Sequence, residues 1–245
     1  MAKYAPRDGT YIIFGHNGVM MASVFRSAKV KYKLSEFGWL GGLRGSNFIQ
    51  FVSRQSGIKS LHDATKKEVF VGASFDYSML TIPWKALNIF IGTKFKIIKG
   101  YRGAGQINAA IKKGELAGKS FPEPGVTTEF INKNFPIVAL TQTGSVREVN
   151  FPNTPLFSEI VPDKDINMFF NAFSAIGKTV HTTPGVSPTR LQALRELTEK
   201  ILKDLEFIAI IKVMNVPTGY ISPFEMESLI KDIIDYGPAA KRKLN

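Results

Sequence analysis

The 245 residues have 44% hydrophobic content and a mean hydropathy of −0.01, the composition of an ordinary globular chain. No stretch approaches the ~18 consecutive apolar residues of a membrane span, and the length suits one large domain or two lobes of roughly 100–150 residues each. Cysteine is absent, which excludes disulfides, thiolate metal sites and cysteine nucleophiles, and the three histidines (His16, His62 and His181) lack metal-ligand spacing. Lys and Arg number 32 against 20 Asp and Glu, a formal charge of +12. That surplus points to an anionic partner or to a solvated basic surface. Its spread along the chain argues against nucleic acid.

Residues 11–14 (YIIF) form an apolar run ended by Gly15-His16-Asn17-Gly18, a strand leading into a turn. Residues 19–25 are ambiguous and are compatible with a helix start. Residues 48–52 (FIQFV) read as a strand, and Ser60 is placed to N-cap a short helix with Asp63 in its first turn. Residues 69–73 form a strand. The segment Ser74-Phe75-Asp76-Tyr77-Ser78 then turns into a helix carrying Trp84, Leu87 and Phe90 and closed by Gly92. Residues 95–98 are the next strand. Gly100-Tyr101-Arg102-Gly103-Ala104-Gly105 turns into a helix with Ile107, Ala110 and Ile111 on one face, stopped by Gly114.

Residues 135–140 (FPIVAL) and 167–176 read as further strands. Pro188 opens a helix with leucines and isoleucines at helical spacing through Leu205, and Ser222-Pro223 opens a last helix through Ile233. The AAKRKLN tail reads as polar and frayed. Strands alternating with helices of ten to fifteen residues predict an α/β architecture. Each of the two helices in residues 69–118 begins where a strand has just ended. That arrangement aims backbone N–H groups and the positive end of the helix dipole at an anion.

The segment GTKFKIIKGYRGAGQINAAIKKGELAG resembles the motif of the tripartite tricarboxylate transporter substrate-binding proteins, the Bug-type periplasmic solute receptors. The likeness continues in order through APRDGT, FGWLGGL, SGIKSLHDA, NTPLFSEI and TTPGVSPTRLQALRELTEKILKDLEF, covering nearly the whole chain. It implies a two-lobed, periplasmic-binding-protein type II-like α/β fold with a hinged inter-lobe cleft. Residues 1–67 and 178–245 would form lobe I and residues 68–177 lobe II. It further implies a periplasmic receptor that performs no chemistry, needs no cofactor, and delivers a small carboxylate or other anionic solute to membrane transporter subunits. Family members begin with a signal peptide, a first strand and a glycine-rich loop before a first helix. This chain starts at the equivalent of the second strand, so the resemblance implies an N-terminal truncation.

Tyr101, Arg102, Gly103 and Ala104 are the strongest binding candidates, with Arg102 able to pair bidentately with a carboxylate. Gly15, His16, Asn17 and Gly18 stand where the family has a ligand loop, His16 as a possible hydrogen-bond donor. Ser74 and Ser78 read either as ligand donors or as helix caps. Asp76 reads as a cap, with selection of a ligand amine as the alternative. Phe75 and Tyr77 complete that loop, which departs from the family's glycine-rich pattern. Glu115 reads as closing its helix, and Trp39 and Trp84 as core. The competing reading is a truncated, non-binding remnant or an oligomerisation module, since a lobe without its first strand leaves a sheet edge uncovered. Nothing in the sequence resembles an enzyme's nucleophile elbow or acid–base pair.

Overall fold

The computed structural model describes residues 5–214 and 216–245. In chain order the elements are β1 (Ile12–His16), α1 (Gly18–Phe25), β2 (Gly38–Arg44), β3 (Phe48–Ser53), α2 (Leu61–Lys66), β4 (Val69–Gly72), α3 (Ile82–Ile91) and β5 (Phe95–Ile98). They continue with α4 (Ala104–Lys112), β6 (Gly118–Pro122), α5 (Glu123–Val126), β7 (Ile137–Gln142), α6 (Phe157–Ile160), α7 (Lys164–Ala175) and β8 (Ile176–Thr182). The last are α8 (Pro188–Lys203), α9 (Leu205–Val213), β9 (Tyr220–Ile221) and α10 (Pro223–Leu244).

The chain divides into two compact units. Unit 1 holds Met1–Ser46 and Met168–Lys241, and unit 2 holds Asn47–Asn167 and Arg242–Asn245. The chain therefore crosses between units just before β3, within α7 and again near the end of α10. The sequence expectation had two crossings, near residues 67 and 177.

Unit 1 is built on an antiparallel sheet in the order β1-β8-β2-β9. Leu40, Leu43 and Val180 meet Leu202 of α8 and Ile211 of α9 in one buried cluster. Aromatic rings of α1 and α7 pack elsewhere in the unit, with Phe25 and Phe169 edge to face at 6.0 Å.

Unit 2 is built on a mixed sheet in the order β5-β4-β6-β3-β7. Strands β5, β4 and β6 run parallel to one another, whereas β3 is antiparallel to both β6 and β7. Helix α3 carries the chain from β4 to β5, and α4 carries it back past β4 to β6. Alternation along β6 sends Lys119 toward Asn108 of α4 and Ser120 to the opposite face, where its hydroxyl donates to the Met79 carbonyl at 2.6 Å. The α4 side of the sheet is a continuous apolar layer of Ile49, Phe51, Ile107, Ile111, Val126 and Phe130. Gly118 permits the closest approach in this sheet, since a Cβ there would lie 1.9 Å from the Phe51 carbonyl oxygen.

Several local expectations hold. Ser60 and Asp63 form a reciprocal capping box at α2. Gly92 ends α3 in the left-handed region at φ 73°. Trp39 and Trp84 are buried at 2% and 0% exposure, as core residues.

Others are corrected. Residues 167–176 were expected as a strand, yet α7 occupies them up to Ala175. Ile166, Phe169, Phe170 and Phe173 recur at helical spacing, and all are buried. Gly15 and His16 lie inside β1 rather than in the turn after it. The long C-terminal apolar pattern is broken at Asp204, whose carboxylate accepts from the Glu206 and Phe207 amides and starts a separate helix. The tail is helical to Leu244, which is buried at 2% exposure, while Lys243 pairs with Asp163 and Asp165 at 2.8 Å each.

Candidate functional site

In unit 2 the parallel strands β4 and β5 end side by side, with Gly72 opposite Ile98. Two loops leave from that end, residues 73–81 toward α3 and residues 99–103 toward α4. The Ala73 amide extends the sheet by donating to the Ile98 carbonyl at 2.9 Å. Asp76 and Lys99, each about half exposed, join the two loops with a 2.5 Å ion pair. This corrects the reading of Asp76 as a helix cap: Thr81, not Asp76, holds the N-cap position of α3, and Asp76 pairs with a lysine from the neighbouring loop.

The first loop folds around the Phe75 carbonyl, which accepts a hydrogen bond from Thr81 Oγ1 and another from Ser78 Oγ at 3.3 Å. With its carbonyl held, Phe75 presents its ring to solvent at 64% exposure. Neither Ser74 nor Ser78 caps α3, since Thr81 occupies the N-cap position and makes no side-chain cap bond to the helix. Pro83 takes the first turn instead, where its missing N–H costs nothing. Tyr77 lies beneath Lys85, whose ammonium is 5.7 Å from the ring centroid.

The second loop reaches α4 through Gly100, which has φ 102°, and through an extended Gly103. Gln106 reaches back to accept from the Arg102 amide at 2.9 Å, so the turn is closed from inside the helix. The amides of Ala104, Gly105 and Gln106 stand in the first turn, where a helix offers no internal acceptor. A Cβ added at Gly103 or at Gly105 would meet nothing within 4 Å, so the space before this turn is open. Arg102 is exposed, whereas Tyr101 is half-buried against the Ile107–Phe130 core layer. The start of α4 therefore offers first-turn amides, a guanidinium and room for a small anion.

The remaining sequence candidates lie in unit 1. The Gly18 amide donates to His16 Nδ1 at 3.0 Å, which puts the proton of the neutral ring on Nε2. Asn17 donates its side-chain amide to the Ile176 carbonyl at 2.9 Å, fastening the end of β1 to the start of β8. Asn17 is thereby a structural tie. Among the described residues no group of His, Cys, Asp and Glu is arranged to hold a metal ion.

Sequence reasoning missed Lys99, Thr81 and Lys119. Lys119 is fully buried, donates to Asn108 Oδ1 at 2.6 Å and sits 3.5 Å from the centroid of the Phe121 ring. Burial pushes this ammonium down to about 7, against the upward pull of Glu129. The only signal in the sequence was a lone lysine after a glycine in an otherwise small and apolar run.

No family model and no curated protein sequence matches this chain. Solved structures do. A TctC solute-binding protein from Polaromonas, without ligand, superposes with a TM-score of 0.74 at 17% identity, over 95% of this chain and 78% of that one. Rpa4515 of R. palustris, solved with adipate, gives 0.73 at 17% identity over 99% and 80%. MatC from Rhodopseudomonas palustris, with bound malate, gives 0.70 at 15% identity over 100% and 82%. At these identities the likeness is one of fold, and the chain has the α/β fold of the TctC and Bug-type solute-binding proteins.

Proposed function

We propose that this protein is a solute receptor, not an enzyme, that captures a small carboxylate and hands it to membrane transporter subunits outside the cytoplasm. The observation that carries the reading is the start of α4, where first-turn amides and Arg102 face open space beside Gly103 and Gly105. The fold supports it, since proteins of the same architecture were solved with adipate and with malate. A carboxylate at this end of a helix gains from the exposed amides and the dipole without a full countercharge. Differential scanning fluorimetry against di- and tricarboxylates tests the reading. A solute at a hundred times its dissociation constant adds about 2.7 kcal/mol of stability.

One observation favours a second reading, an oligomerisation module. Strand β1 is at the edge of its sheet, and Ile12 and Phe14 on it are 48% and 56% exposed. Light scattering separates the two: a ligand-responsive monomer supports the receptor, and a ligand-blind oligomer supports the module.

A further inference from the structure

Lys119 is the most anomalous side chain in unit 2. An ammonium offers three donors, yet Lys119 donates to one neutral amide oxygen, Asn108 Oδ1. The Phe121 ring covers it at 3.5 Å and Phe130 lies 5.8 Å away. The elements packed around it contribute few charges. Glu129, on the π turn Thr127–Ile131, is the nearby carboxylate, and it is already held by Lys133 at 3.0 Å and approached by Lys112 of α4 at 4.0 Å. Strands β3 and β4 present Phe51 and Gly72 in register with it. A permanent charge in such surroundings is costly, so the amine is poised between neutral and protonated forms.

Its position links that poise to the loops described above. Asn108 lies one helical turn beyond Ala104, about 6 Å along the α4 axis. Gly72, paired with Lys119 across the sheet, is the last residue of β4 before the loop of Phe75 and Asp76. A negative charge arriving at the first turn of α4 therefore acts on the amine through the protein interior, where attraction is screened far less than in water.

We propose that Lys119 is a proton-linked positioning residue of these loops: capture of a carboxylate at the start of α4 is accompanied by protonation of the Lys119 amine. The proton comes from solvent, and the resulting ammonium keeps its bond to Asn108 while its charge stabilises the solute. The inference rests on the receptor reading and adds a proton to it. Solute affinity then increases as pH falls through the titration range of the amine. An upward shift of about one pKa unit on binding corresponds to about tenfold in affinity.

The test is calorimetry on the full chain with adipate and with malate, at about pH 6.5 and about pH 9.5, repeated near pH 7.5 in two buffers of different ionisation enthalpy. The expected result is about tenfold tighter binding at the lower pH, with uptake of about half a proton per solute near pH 7.5. Lys119→Met is expected to bind with neither the pH slope nor the proton uptake. Asn108→Asp, which fixes the ammonium with a carboxylate, abolishes proton uptake by the opposite route and serves if the methionine variant does not fold. Binding without pH dependence in the unaltered protein, or an equal dependence in both variants, overturns the proton linkage and leaves the receptor reading intact. No binding of either probe, or of any other small carboxylate, at any pH overturns both.

Discussion

Asp76 Oδ1 lies 2.5 Å from Lys99 Nζ, so the loop after β4 and the loop after β5 are joined by an ion pair at the end of the unit 2 sheet. Both side chains are about half exposed, and a pair of that kind contributes ~0–1 kcal/mol to stability. Its greater consequence is electrostatic. Within residues 99–103, Lys99 is engaged by Asp76, leaving Arg102 as the other cation of that loop. Asp76→Asn is expected to leave the melting temperature almost unchanged. It should raise affinity for dicarboxylates severalfold at low salt, with the gain fading as salt is added. Titration calorimetry at two ionic strengths checks this.

Gly103 tests the open space directly. Its φ of 178° is extended backbone that other residues adopt, and a Cβ there meets nothing within 4 Å. Gly103→Leu is therefore expected to fold with near-normal stability, while its side chain fills the volume before the first turn of α4. Carboxylate affinity should fall at least about tenfold, a loss of about 1.4 kcal/mol. Thermal melts with and without solute read both effects at once.

His181 makes unit 1 sensitive to acid. It is 2% exposed, with Phe37 and Trp39 packed on its ring at centroid distances of 5.0 and 4.9 Å. Burial pushes its imidazole down to about 4 from the ordinary 6.5. A depressed cation adds stability that is fully present above the unfolded value of 6.5 and is lost as pH falls through about 4. The loss amounts to about 2–3 kcal/mol. Denaturation followed by tryptophan fluorescence should show it between neutral pH and about pH 4. His181→Phe should flatten the profile across that interval.

The same sign holds for Lys119 over a different interval. Its folded value of about 7 lies below the ordinary 10.5, so stability grows as pH rises from about 7 toward 10.5. Unit 2 is thus expected to gain on the order of a hundredfold in folding equilibrium between about pH 7 and pH 9, and Lys119→Met should remove the slope.

The C-terminus carries a further expectation. Leu244 is buried at 2% exposure, and Leu244→Ala should cost about 2–4 kcal/mol. Loss of the neighbouring Lys243 ion pairs should cost under about 1 kcal/mol. Chemical denaturation of the two single variants distinguishes burial from charge.

These contrasts mark what was legible beforehand. The helix ends at Ser60 and Gly92 could be read because capping chemistry is local. The glycines of residues 100–105 announced an open turn for the same reason. Residues 167–176 misled because a dense phenylalanine run satisfies strand and helix patterns alike, and only packing chooses between them. Lys119 and His181 were hidden for a deeper cause: a polar residue in a strand does not reveal which face the tertiary fold will bury. Asp76 reads as a cap by sequence position, whereas Thr81 holds the N-cap and Asp76 meets a lysine brought close by parallel pairing of β4 with β5.

The most direct test of the receptor account is calorimetric titration of the full chain with adipate, malate and a panel of other small carboxylates, with the Gly103→Leu variant alongside. The account predicts saturable binding of at least one of them at one solute per chain, weakened about tenfold or more by the variant. Absence of binding across the panel, or binding that Gly103→Leu leaves untouched, would contradict it.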